Sequence, residues 1–155
     1  ELSVIVRDIH GVLHLYSGTY ARRYLYAFQN RKVNIEAFDN LVRGKVAHST
    51  GGLVYGPACI LTRDYGASHE ERHEHSNTVS QGGIVISQTV DPSMTSMLRR
   101  AGAIVTDLGG MLSHGAIVAR EFGIPCIIST GVATCSFKNG DMLEVDTHNG
   151  TVRKI

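Results

Sequence analysis

One histidine lies just behind a glycine pair, at the start of a short amphipathic segment. Gly109 and Gly110 are followed at once by Met111, Leu112, Ser113 and His114. Glycines permit backbone angles that a Cβ forbids, so the chain can turn sharply here and expose its N–H groups. Ser113 is a good N-cap because its hydroxyl can accept a hydrogen bond from an N–H two or three residues on. The pattern predicts a helix that carries His114 in its first turn.

The elements on either side of this histidine follow from ordinary propensities. Residues 103–106 are apolar and largely β-branched, which is typical of a buried strand. Beyond the histidine, apolar residues recur at helical spacing at Ala116, Ile117, Val118, Ala119 and Phe122. Gly123 suits the left-handed position after a helix, and Pro125 forbids further helix. We therefore predict a strand, a glycine turn and a helix with His114 at its open N-terminus.

This position suits a phosphoryl group on the ring of His114. Free N–H groups and the helix dipole stabilise negative charge at a helix N-terminus by about 0.3–1 kcal/mol. Histidine is also one of the side chains that act as covalent nucleophiles. The alternative is a histidine that caps the helix or faces solvent, and helical spacing alone leaves both open.

The run over residues 109–126 resembles the active-site signature of the phosphohistidine swivelling domain of phosphoenolpyruvate-utilising enzymes. This family includes phosphoenolpyruvate synthase, pyruvate phosphate dikinase, the first enzyme of the bacterial sugar phosphotransferase system and rifampicin phosphotransferase. Further blocks are similar in the same order, at residues 83–92, 133–134, 138–141, 145–146 and 150–152. Several ordered blocks are more specific than one motif, and together they span residues 43–155.

The resemblance implies that His114 is the phosphorylated nucleophile. The residues it places around the phosphate are Thr106, Gly109, Gly110, Ser113 and Arg120. Arg120 lies six residues after His114, about 240° around a helix, so pairing with a carboxylate is the alternative to phosphate contact. Asp107 also has two interpretations, since it either orients the histidine ring or simply ends the strand.

Three departures from the family pattern, at four positions, leave the acceptor substrate open. Leu112 stands where the family usually has threonine, so one hydroxyl near the phosphate is missing. Gly115 replaces a common alanine, which weakens the first helical turn slightly. Ser129 and Thr130 replace a frequent glycine after the next strand.

The resemblance also implies the reaction and its partners. His114 would take a phosphoryl group from ATP or phosphoenolpyruvate and deliver it to pyruvate or another acceptor, as the domain moves between a nucleotide-binding domain and a substrate domain. Mg²⁺ would bind at those partner domains. Because the chain starts at Glu1 and has neither a Walker-type loop nor the length for a barrel, we expect a carrier within a longer protein that does not turn over alone.

Two other function classes compete with this interpretation. One is a non-catalytic regulatory or interaction module of the same fold on a larger enzyme, which would never carry phosphohistidine. The other is a hydrolase that uses Ser113 and His114. Adjacent helical residues point about 100° apart, which disfavours the hydrogen bond that such a pair needs.

Composition excludes several classes of protein. The net charge of +1 gives no electrostatic basis for binding nucleic acid or an anionic membrane. No signal-peptide pattern opens this sequence and its longest apolar stretches are far short of a membrane span, so we expect no membrane partner. Three cysteines without a CxxC pair indicate reduced thiols and a cytoplasmic location, with Cys126 packed in the core.

The fold class we predict is α/β: a swivelling β/β/α domain with a small two-sheet β core and helices packed outside. Residues 1–42 are predicted as a lead-in with strands at 2–6 and 12–16 and a helix over 19–29, and residues 43–155 as the swivelling domain. A turn at Asp91-Pro92 is predicted to open a helix over 93–100. The polar stretch over 64–80 contains His69, His73 and His75, for which a solvated loop or short surface helix is favoured over a zinc site.

Overall fold

The computed structural model describes residues 3–7, 13–17, 41–61 and 79–155. In the first part, β1 (Ser3–Arg7) pairs with β2 (Leu13–Ser17) as an antiparallel two-stranded sheet. Both extended segments predicted for the lead-in are therefore strands. The predicted helix over 19–29 and the histidines at 69, 73 and 75 lie outside the described residues.

The other strands form one eight-stranded mixed sheet. They are β3 (Leu41–Arg43), β4 (Lys45–His48), β5 (Leu53–Leu61), β6 (Ile84–Ser87), β7 (Ala103–Thr106), β8 (Cys126–Ile128), β9 (Met142–Asp146) and β10 (Thr151–Lys154). Their order across the sheet is β3-β10-β9-β5-β6-β7-β8-β4. The predicted domain boundary after residue 42 falls within β3 and stays a prediction.

Four adjacent strands at the centre, β5 to β8, run parallel. Parallel strands need crossover connections, which here contain short helices: α1 (Thr95–Leu98) between β6 and β7, and α2 (His114–Phe122) between β7 and β8. A third helix, α3 (Ala133–Ser136), follows β8. The carboxyl ends of the parallel strands therefore meet at one edge of the sheet, where ligands bind in many α/β proteins.

Alternating side chains of the parallel strands feed two separate cores. In β6, Ile84 and Ile86 join a cluster that includes Leu143 of β9 and Phe137 after α3. Val85 points to the other face, into a cluster that includes Leu98 of α1 and Val118 of α2. The antiparallel half of the sheet thus packs on one face of the parallel half, and these helices pack on the other. This β/β/α layering, with β5 shared by both halves, confirms the predicted fold class.

The helix predicted over 93–100 is shorter than expected. A 3₁₀ turn (Pro92–Met94) comes first, capped by Asp91, whose carboxylate accepts a hydrogen bond from the backbone N–H of Ser93 at 2.9 Å. Because the Asp91 cap starts a 3₁₀ turn, the α-helix begins only at Thr95. It ends at Leu98, with Arg99 as its C-cap. No helix within the described ranges is long and apolar enough to cross a membrane.

Candidate functional site

The helix α2 begins at His114, as predicted. Ser113 precedes it in extended conformation, and its Oγ accepts a hydrogen bond from the N–H of Ala116 at 3.4 Å. The helix ends at Gly123, which adopts the left-handed conformation with φ 66°. The predicted cap and stop signals are both confirmed, so His114 sits at the N-terminus of α2 and at the carboxyl edge of the parallel strands.

The ring of His114 is held by a residue that the sequence analysis missed. Its Nε2 lies 3.0 Å from Oγ1 of Thr95, the first residue of α1. A hydroxyl both donates and accepts, so this contact serves either neutral tautomer of the ring. Thr95 lies outside the motif, and nothing in its local sequence marks it. The β6–α1–β7 crossover brings it to the histidine.

A second contact joins the far ends of the same two helices. The guanidinium carbon of Arg99 lies 4.4 Å from the centre of the Phe122 ring, which is a cation–π geometry. Since Arg99 follows α1 and Phe122 ends α2, this pair and the Thr95–His114 pair fix the helices at opposite ends. The position of the histidine ring therefore depends on how α1 packs beside α2.

The glycine turn before α2 presents backbone donors. Gly109 has φ 114°, a conformation that other residues rarely adopt. The turn closes with a hydrogen bond from the N–H of Ser113 to the carbonyl of Gly110 at 3.0 Å. The N–H groups of Gly109, Gly110, His114 and Gly115 have no acceptor within the described ranges. Free donors at a helix N-terminus make this surface suitable for an anion.

Alanine at Gly109 is expected to destabilise the protein, whereas alanine at Gly110 is not. At Gly109 a Cβ would require a left-handed φ of 114° and would lie 3.1 Å from Ser113 Oγ, so we expect a loss of about 1–3 kcal/mol in the free energy of unfolding. At Gly110 nothing lies within 4 Å of the Cβ position, and we expect a change below about 1 kcal/mol. Urea unfolding of both variants measures the difference. Equal stabilities would contradict this description of the turn.

Thr106 lies beneath this turn, buried at the end of β7. Its Oγ1 donates a hydrogen bond to the carbonyl of Leu108 at 2.8 Å, so its proton is already used. Nearby, a Cβ on Gly115 would lie 3.1 Å from Cγ2 of Val90. Glycine at this position therefore allows Val90 to pack closely against the first turn of α2.

Arg120 contacts a methionine, and its predicted contact with phosphate stays a prediction. Its Nη2 lies 3.9 Å from the sulfur of Met111 in the turn before α2. Among the described residues, no carboxylate pairs with it. Leu112, which follows Met111, is 86% exposed, so the side chain at the family's threonine position projects into solvent.

Asp107 is a structural residue here and does not orient the histidine ring. Its carboxylate accepts hydrogen bonds from Oγ1 of Thr130 at 3.0 Å and from the N–H of Thr134 at 3.2 Å, and a further one from the Thr134 hydroxyl. Burial raises the pKa of Asp107 above its ordinary value, although these hydrogen bonds oppose the change. The side chain thus ties the end of β7 to the segment after β8.

Two further predictions concern metal ligands and thiols. Among the described residues, no three His, Cys, Asp or Glu side chains are grouped as metal ligands would be. Cys126 is fully buried in β8, and this burial raises the pKa of its thiol to about 12. Core packing, as predicted, is its role.

Comparisons with known proteins identify a family for the stretch that contains this site. Residues 79–150 match the family described as "PEP-utilising enzyme, mobile domain". An uncharacterised phosphotransferase of Bacillus subtilis is 35% identical over 76% of this chain, and the phosphoenolpyruvate synthase of Pyrococcus furiosus is 46% identical over 49% of it. These matches span only 13% and 9% of the two relatives' own lengths.

A solved structure supports the fold alone. Aconitase X of Thermococcus kodakaraensis aligns over 74% of this chain and 98% of that chain, with a TM-score of 0.51 and 17% identity. The sequence matches carry the family assignment, and the relatives just named are described as a phosphotransferase and a phosphoenolpyruvate synthase. The stretch 79–150, with His114 at the start of its central helix, belongs to the mobile domains of phosphoenolpyruvate-utilising enzymes.

Proposed function

We propose that this domain is a phosphoryl carrier and that His114 is the residue phosphorylated. The observation that carries the proposal is the place of this imidazole: it lies at the N-terminus of α2, beside backbone N–H groups without acceptors in the described ranges. Thr95 keeps the ring at this edge of the sheet. A nucleophile and donors for the group it would carry thus lie side by side.

The proposed step is an in-line displacement at phosphorus. A lone pair on a ring nitrogen of neutral His114 forms the N–P bond while the bond from phosphorus to the donor's leaving oxygen breaks. The leaving oxygen keeps that electron pair, and the ring retains its proton on the other nitrogen. In the second half-reaction an acceptor oxygen attacks the same phosphorus, and the electron pair of the N–P bond returns to the ring.

The groups around the ring would stabilise the charge of the transferred phosphoryl oxygens. The N–H groups of Gly109, Gly110 and Gly115 are the main donors in this proposal, and the Ser113 hydroxyl, whose proton is uncommitted by its cap, is another. Thr106 supports the turn from below. Arg120 contacts Met111 in the turn before α2, and we assign it the weakest role.

The donors and partners belong to the same proposal. ATP or phosphoenolpyruvate supplies the phosphoryl group, and Mg²⁺ binds with it at a nucleotide-binding domain or a substrate domain. The similarity to a phosphoenolpyruvate synthase supports this choice of donors. The three cysteines form no disulfide and two of them are buried, in keeping with a reducing, cytoplasmic location.

The chemistry of the adduct tests the proposal. The intact protein that carries this chain would be incubated with radiolabelled phosphoenolpyruvate or ATP and Mg²⁺, then separated from the donor. We expect bound label that is released by mild acid and retained in alkali, because an N–P bond is acid-labile. An acid-stable label would indicate a phosphate ester, for example on Ser113, and would contradict the assignment to His114.

Thr95→Val is expected to slow phosphorylation of His114 without unfolding the protein. Valine has nearly the shape of threonine but cannot hydrogen-bond the ring, so the nucleophile loses one orienting contact. We expect a rate about two- to tenfold lower, measured by rapid quench with the donor that works. Thr95→Ser keeps the hydroxyl and should react at close to the wild-type rate. Equal rates for the valine and serine variants would remove Thr95 from the site.

A further inference from the structure

Ser129 has the only positive φ of any non-glycine residue in the described ranges. Its φ is 59°, and it directly follows β8, at the same edge of the sheet as His114. A serine in the left-handed region is strained relative to glycine, and such strain persists only where surrounding contacts hold it. The contact in this case is a hydrogen bond from Ser129 Oγ to the carbonyl of Gly109, at 2.6 Å.

Ser129 belongs to a segment that runs along the end of β7. The N–H of Thr130 donates to the carbonyl of Thr106 at 3.1 Å, and the N–H of Gly131 donates to that of Asp107 at 3.0 Å. These two bonds continue the β7–β8 pairing through the backbone. The carbonyl of Gly109 instead accepts from a side chain, the hydroxyl of Ser129. This contact therefore depends on the residue type at position 129.

The hydrogen bond at Gly109 fixes the direction of the next N–H group. The carbonyl of Gly109 and the N–H of Gly110 belong to one peptide unit, and no peptide bond in the described ranges is cis. In a trans peptide these two groups point in opposite directions. With its carbonyl held toward Ser129, the peptide must turn the Gly110 N–H away from Ser129. That N–H has no acceptor in the described ranges, and Gly110 is exposed.

We infer that Ser129 is a positioning residue that orients the Gly110 N–H toward the phosphoryl group on His114. The inference rests on the proposed function of His114. The Ser129 hydroxyl holds the Gly109 carbonyl, and this sets the Gly110 donor in advance of the reaction. A glycine turn is otherwise free to rotate this peptide, so the hydroxyl reduces the cost of ordering the donor when charge develops on phosphorus.

Two substitutions separate the hydroxyl from the backbone conformation. Ser129→Ala removes the hydroxyl and keeps a Cβ in the left-handed region, whereas Ser129→Gly removes the hydroxyl and relieves the strain, so the glycine variant should fold. Ser49→Ala is the matched control. It deletes a hydroxyl that contacts Thr147 Oγ1 at 2.8 Å. Ser49 follows the end of β4 that pairs with Cys126, so it lies at the opposite end of β8 from Ser129.

The experiment uses phosphoramidate as the phosphoryl donor and this chain as the acceptor. Mass spectrometry gives the rate of phosphorylation at His114, with the exposed His148 as an internal reference for unassisted reactivity. Amide NMR gives the change in the Gly110 proton shift when His114 is phosphorylated. A purely structural role for Ser129 would leave this shift change intact.

We expect both Ser129 variants to be phosphorylated at His114 about two- to tenfold more slowly than wild type, with a reduced response at Gly110. Ser49→Ala should behave as wild type. The inference would be overturned if both variants were phosphorylated at the wild-type rate, or if Ser129→Gly alone were. It would also be overturned if both variants were slower but the change in the Gly110 proton shift stayed as in wild type. If wild-type His114 reacts no faster than His148, the proposed function itself fails, which is a separate result.

Discussion

Replacing His114 with alanine is expected to reduce phosphoryl transfer by the intact protein to the level of a control without donor. The nucleophile is removed, and the remaining donors have no group to hold, so little residual transfer is expected. The ring is half-buried and, among the residues the structure describes, makes a single hydrogen bond, to Thr95, so we expect the free energy of unfolding to change by no more than about 1.5 kcal/mol. Transfer would be followed by release of product from phosphoenolpyruvate or ATP.

His148→Ala is the matched control for this variant. His148 lies in the turn between β9 and β10, is exposed, and has no part in the proposed site. It should transfer phosphate at the wild-type rate. Transfer that survives in a folded His114→Ala protein would show that another group carries the phosphate. Absence of transfer in wild type as well would favour the regulatory module.

Asp107→Ala is expected to have the largest effect on stability. It leaves the hydroxyl and the buried N–H of Thr134 without their acceptor, whereas the Thr130 hydroxyl can still donate to the carbonyl of Thr106 at 3.2 Å. Unsatisfied buried donors are costly, and we expect a loss of about 3 kcal/mol, or roughly 6–12 °C in Tm. The change in Tm is measured by thermal unfolding, monitored by circular dichroism. A loss below about 1 kcal/mol would show that the Asp107 network contributes little to the fold.

Asp107→Asn separates the shape of this side chain from its charge. Because burial raises the pKa of Asp107 above 3.8, the folded protein keeps a proton in a pH range where the unfolded chain has lost it. The stability from the protonated carboxyl is therefore complete below pH 3.8 and decreases as the pH rises through the folded pKa. Urea titrations at several pH values should show this decrease in wild type and lack it in Asp107→Asn. If the stability of wild type and of Asp107→Asn depended on pH in the same way, the direction of the pKa change would be contradicted.

The local structure around His114 was predictable because its signals are local. An N-cap serine, an apolar helical stripe and a left-handed glycine act within one or two turns, and they correctly place α2 between Ser113 and Gly123. The strand at residues 103–106 followed from β-branched apolar residues. The helix after Asp91 was overestimated because its capping carboxylate nucleates a 3₁₀ turn first.

The contacts that hold the site were not predictable in the same way. Thr95 is 19 residues from His114, and only the parallel crossover brings them together. The interaction of Ser129 with Gly109 spans 20 residues and depends on a left-handed serine, a conformation that its residue type does not favour. Its one visible signal was the replacement of a glycine frequent in the family. For Asp107 the motif left two roles open, and only its hydrogen bonds decide between them.

The most direct test of the carrier role is the mass of one peptide. Cleavage at Arg100 and Arg120 releases residues 101–120, in which His114 is the only histidine. The intact protein would be incubated with phosphoenolpyruvate or ATP and Mg²⁺, digested at alkaline pH and analysed with and without an acid step. We predict that this peptide gains the mass of one phosphoryl group, which acid removes. With either donor and a folded protein, an unmodified peptide 101–120 would contradict phosphoryl transfer through His114.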